Sequence, residues 1–112
     1  MATAVIDRAV FAELQATAGA DFVGELIDTF LEEAPPMLAE LGEAFADGRA
    51  EPFRRAAHSL KSNASTFGAA TLAAAARDLE LQGLAAATPA ALATLAQQYA
   101  AAAAELKALR DA

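Results

Sequence analysis

The stretch Ala57-His58-Ser59-Leu60-Lys61-Ser62-Asn63-Ala64-Ser65-Thr66-Phe67-Gly68 contains the only histidine in the chain and one of its two lysines. Phe53, Ala57, Leu60, Ala64 and Phe67 recur at steps of four and three, the period of a helix that buries one stripe in a bundle. Pro52 suits a first helical turn and Gly68 a stop, so the spacing predicts a helix between them, α3. At about 100° per residue His58 points well away from the apolar stripe. Arg54, Arg55, Lys61, Ser62 and Ser65 lie within about 60° of it on the same wheel. The histidine therefore stands on an outer face that is basic and low in side-chain volume.

The flanking sequence repeats the helical pattern. Asp7 is a cap for a short α1 carrying Ile6, Val10, Phe11 and Leu14, which Gly19 ends. Asp21 opens α2, in which Phe22, Leu26, Phe30, Met37, Leu41 and Phe45 recur as far as Asp47-Gly48. Pro35-Pro36 interrupts that pattern, so α2 is expected to be bent or split near Ala34. Predicted helix α4 covers about residues 69–82, with Leu72, Ala76 and Leu79 inward and Gly83 as its stop. Thr88-Pro89 caps α5, marked by Leu92, Leu95, Tyr99, Leu106 and Leu109. No segment reads as a strand. The expected fold is all-α: an antiparallel four-helix bundle of α2–α5 with a short additional N-terminal helix α1. The alanine runs fit this, because alanine has the best helix propensity and lets helices approach closely.

Composition narrows the function. A chain of 112 residues suits one domain, spanning 1–112. Without cysteine there is no disulfide, thiolate metal site or thiol nucleophile. The N-terminus lacks a signal peptide's basic and apolar regions, and no apolar run reaches spanning length, so a cytoplasmic protein is expected. The initial Met and the end at Ala112 suggest a stand-alone protein. The net charge of −7 opposes binding to nucleic acid or an anionic membrane. Against it, three of the eight basic residues crowd around His58.

A metal site at His58 would need further ligands, and the sequence has no second histidine and no cysteine. A hydrolase triad would need an oriented nucleophile and an oxyanion hole; Ser62 on the same outward face supplies neither. Two readings stay open: a solvated histidine on a polar face, or a histidine that is itself the nucleophile. In the second, one imidazole nitrogen attacks phosphorus while the other is held by a hydrogen bond, and Lys61 neutralises the transferring phosphoryl group.

The order His58-Ser59-Leu60-Lys61, small residues from Ser62 to Ser65, then Phe67-Gly68-Ala69 resembles the histidine-containing phosphotransfer (HPt) domain family. ELIDTFLEEAPPMLAEL, Asp47-Gly48 and LELQG fall in that family's order, so the resemblance covers about residues 7–110. Ser62 departs from it, since many members carry glycine directly after the lysine. The resemblance implies a phosphocarrier without kinase activity: His58 takes a phosphoryl group from a receiver-domain phospho-aspartate and passes it to an aspartate of another receiver. The implied partners are the receiver domains of a hybrid sensor kinase and of a response regulator. No cofactor is expected in this chain, with magnesium supplied by the partner receiver, and a monomer is expected. The sequence also differs from sensor-kinase dimerisation helices, where an acidic residue normally follows the histidine; here Ser59 does. The resemblance further places Glu80, in LELQG, beside the phosphoacceptor, the alternative being a solvated glutamate. A receiver needs an apolar contact near His58, and the nearest supply is the α1 stripe Ile6, Val10 and Leu14. A helical module that docks and inhibits a response regulator without carrying phosphate remains the alternative function.

Overall fold

Helix signals in the sequence recur in the computed structural model, which describes residues 5–112. Five α-helices follow in order: α1 Arg8–Ala18, α2 Ala20–Asp47, α3 Ala50–Thr66, α4 Ala70–Gln82 and α5 Pro89–Asp111, with a 3₁₀ turn at Leu84–Ala86. The N-caps of α1 and α5 and the C-terminal stop of α2 are those the residue types dictate. The Asp7 carboxylate accepts from the N–H groups of Ala9 and Val10, and the Thr88 hydroxyl accepts from Ala91 N–H. Gly48 ends α2 in the left-handed conformation, its N–H returned to Ala44 and Phe45.

Short connections make the last four helices run antiparallel. α3 packs against α2 and α4, and α5 closes the ring against α4 and α2, while α1 lies outside the ring on α2. The core is filled by Val23, Ile27, Leu41, Phe53, Leu60, Leu72, Leu95 and Leu106, each almost fully removed from water. Truncating such a leucine to alanine costs about 2–5 kcal/mol. Phe30 meets Phe67 at 5.4 Å between ring centres and Tyr99 at 5.8 Å, tying α2 to the end of α3 and to α5.

Two expectations for α2 are narrowed or corrected. Of the bend or split expected near Ala34, the split does not occur: α2 continues through Pro35-Pro36 as one helix. Both prolines are exposed while Ala34 is buried, so the lost hydrogen bonds fall on the solvent side and the apolar stripe stays in the core. Phe22 is 51% exposed instead of inward. The buried stripe is Val23, Ile27, Phe30, Ala34, Leu41 and Ala44, a second ladder offset from the one the largest side chains trace.

The entry to α1 is joined to the α3–α4 junction. Asp7 N–H donates to the Gly68 carbonyl at 2.8 Å, and Ile6 just before it is completely buried. Gly68 has φ +75°, and a Cβ there would fall 2.9 Å from the Asp7 carbonyl oxygen and 3.0 Å from Val10 Cβ. Glycine at this position serves both the turn and the close approach of α1.

Candidate functional site

The two neighbours of His58 on the inward stripe, Ala57 and Leu60, are fully buried, which turns the imidazole outward with 55% of its side chain exposed. Lys61 follows one turn later on the same helix. From α4, Leu79 enters the core and Glu80, the next residue, comes to the edge of the α3–α4 contact. Its side chain is only 12% exposed.

Glu80 joins the two α3 groups. Its Oε2 lies 2.6 Å from His58 Nδ1, and Lys61 Nζ donates to its Oε1 at 2.7 Å. The Lys61 hydrogen bond is the main reason the Glu80 carboxyl lies below the usual carboxylate range; burial pushes the other way, and the His58 contact adds to the lowering. An ionised carboxylate only accepts, so Nδ1 carries the proton and donates to Glu80. In the neutral imidazole this leaves Nε2 with the lone pair.

The remaining predicted residues form the surroundings. Arg54 pairs with Glu51, which holds that carboxyl below and the guanidinium above their ordinary values. Arg55, Ser62 and Ser65 are exposed on the His58 face of α3. Thr66 Oγ1 donates to the Ser62 carbonyl and Asn63 Nδ2 to the Ser59 carbonyl, one turn back in each case. Among the described residues no group of three or more acidic or histidine side chains is arranged to hold a metal ion. Among the described residues no helix is long and apolar enough to cross a membrane.

The expected apolar stripe on α1 needs one correction. Ile6 is 0% exposed and belongs to the core, because the Asp7–Gly68 hydrogen bond draws the chain entering α1 onto the end of α3. Val10 is 38% exposed over Gly68, Leu14 is half-buried against the core, and Phe11 is buried. The sequence reading also missed a groove of about 390 Å³ between α2 and α3, lined by Met37, Glu40, Arg55, Ala56 and Ser59. Met37 and Glu40 stand three apart on α2, a spacing that puts them on one face. Which helix they face depends on the packing.

Comparison with known proteins agrees with this architecture. The chain matches the crystal structure of histidine-containing phosphotransfer protein B (HptB) from Pseudomonas aeruginosa PAO1 with a TM-score of 0.88 at 27% identity, covering 98% of this chain and 97% of that one. No curated protein shows significant sequence similarity to it. The family model for the Hpt domain matches residues 25–111, from the first turns of α2 to the end of α5, and so takes in His58, Lys61 and Glu80 together. With most of its length matched, the chain belongs to the Hpt domain family.

Proposed function

We propose that this chain is a phosphorelay intermediate in which His58 accepts a phosphoryl group from the phospho-aspartate of one receiver domain and passes it to an aspartate of another. The observation that carries the reading is the grip of Glu80 on Nδ1, which leaves Nε2 of an exposed ring as the nucleophile. The Nε2 lone pair forms the N–P bond while the bond from phosphorus to the aspartyl oxygen breaks, and the carboxylate leaves with that electron pair. As positive charge develops on the ring, the Glu80 carboxylate faces it across Nδ1–H. Lys61, one turn away, exchanges Glu80 for the phosphoryl oxygens and offsets their charge. Transfer onward is the same step reversed.

In this reading the chain is a phosphocarrier, working in the cytoplasm without kinase activity of its own. The sequence has no glycine-rich phosphate loop. Magnesium comes from the acidic pocket of the receiver, which the basic surroundings of His58 complement. Val10 and Leu14 on α1 supply the apolar part of the docking surface.

The test is incubation of the wild type and His58→Gln with phosphorylated receiver domains, followed by mass spectrometry. Wild type gains acid-labile phosphate and the variant gains none while keeping its helical circular dichroism, because His58 packs no core contact. Acid-labile phosphate on the variant overturns the assignment. Receiver binding by a wild type that never gains phosphate would instead support the inhibitory docking module.

A further inference from the structure

Three cations surround His58, and two of them are already engaged within the chain: Lys61 by Glu80 and Arg54 by Glu51. Arg55 makes no ion pair among the described residues. It is exposed at the mouth of the α2–α3 groove, whose apolar part is half-buried Met37 and buried Ala56, and whose acidic member is Glu40. Ser59, the residue after His58, lines the same groove. In a chain of net charge −7, Arg55 thus brings a guanidinium with no ion pair of its own to an apolar recess beside His58; of its acidic neighbours, Glu51 is already paired with Arg54, and Glu40 lines the groove without bonding to it.

We propose that Arg55 and this groove form the specificity-determining contact for the acidic partner that exchanges phosphate with His58. A carboxylate of the partner pairs with Arg55 while an adjacent apolar side chain enters the groove over Met37 and Ala56. Pairing with Arg55 breaks no existing ion pair, whereas pairing with Lys61 or Arg54 must displace Glu80 or Glu51. Glu40 repels a second acidic side chain, so the groove selects the order of charges the partner presents. The inference rests on His58 being the phosphoacceptor, and it adds the side from which the partner approaches: over α2 and α3 rather than over α4.

Phosphoramidate, a small donor that phosphorylates histidine without a protein partner, separates the two ideas. The measured quantity is the transfer rate from a phosphorylated receiver domain that the wild-type chain discharges, divided by the phosphoramidate rate of the same variant. Arg55→Glu is expected to lower this ratio about tenfold or more at low ionic strength, with the loss shrinking as salt is added. Arg55→Lys should retain most of it. Lys107→Glu makes the same charge change on α5, which packs against α2 and α4, and should leave the ratio within about twofold. A ratio for Arg55→Glu within about twofold of wild type, or an equal loss in Lys107→Glu, overturns the proposal. Failure of phosphoramidate to label wild-type His58 removes the phosphoacceptor reading, and this contact with it.

Discussion

One carboxylate from α4 holds two side chains of α3: Glu80 Oε2 lies 2.6 Å from His58 Nδ1, and Glu80 Oε1 accepts from Lys61 Nζ at 2.7 Å. The arrangement orients the imidazole through Nδ1 and leaves Nε2 open, the nitrogen that attacks under the proposed function. It also keeps Lys61 beside the histidine before any phosphate arrives. His58 and Glu80 are 22 positions apart, so the site exists only when α3 and α4 are packed.

Glu80→Gln tests the charge of that carboxylate. An amide has one acceptor oxygen and cannot accept from both His58 and Lys61 with separate oxygens. Phosphotransfer should slow about tenfold or more through misorientation of the ring. Stability should show a defined pH dependence. The Glu80 carboxyl is lowered in the folded chain, so its contribution is full above the ordinary carboxylate pKa and is lost as pH falls through the lowered folded value. The excess melting temperature of wild type over Glu80→Gln should therefore shrink as pH falls through and below the ordinary carboxylate range. An excess that keeps growing there contradicts the assignment.

Lys61→Ala should separate transfer from folding. One charge aimed at a transferring phosphoryl group contributes on the order of a hundredfold in rate. A partly exposed ion pair contributes little to stability, so melting should fall by no more than a few degrees. Stopped-flow transfer and thermal melts on one preparation check both. A normal rate with a large loss of stability would make Lys61 a structural partner of Glu80 only.

Gly68→Ala should loosen α1. The left-handed backbone alone costs about 1–2 kcal/mol for a residue with a Cβ, and the new atom would press on the Asp7 carbonyl and on Val10. A loss near 2 kcal/mol lowers the melting temperature by roughly 10 °C in a domain of this size. Hydrogen exchange should rise first in the α1 amides. Unchanged protection of α1 would show that the Asp7–Gly68 contact does not hold it.

Val10→Ser and Leu14→Ser divide docking from packing. Val10 is exposed, so its replacement should change stability by about 0.5 kcal/mol or less while weakening receiver binding. Leu14 packs against the core, and its replacement should lower melting as well. Receiver affinity measured by titration calorimetry, unchanged in both variants, would leave α1 as a cover over the bundle end.

Local chemistry made several features legible in the sequence. Asp7, Gly48, Gly83 and Thr88-Pro89 mark helix ends because caps and left-handed turns depend on single residue types. The period of three and four in α3 placed Leu60 inward and His58 outward, and the helix repeat alone decides that angle. The family is legible for the same reason: His58, Lys61 and Gly68 lie within one helix and its stop, so their spacing is a local property of the chain.

Other features were decided by packing between segments distant in the chain. Whether Phe22 or Val23 leads the buried stripe of α2 depends on which of two overlapping apolar ladders meets α3 and α5, and only the assembled bundle chooses. Ile6 became core rather than docking surface because Asp7 bonds to Gly68, in a distant part of the chain. The placement of Glu80 against both His58 and Lys61, and the opening of the Met37–Arg55 groove, follow from the registers of α4 and α2 on α3. A helix period fixes the direction of a side chain around its own axis. The partner it meets is set by the axial shift between helices, and that belongs to the tertiary structure.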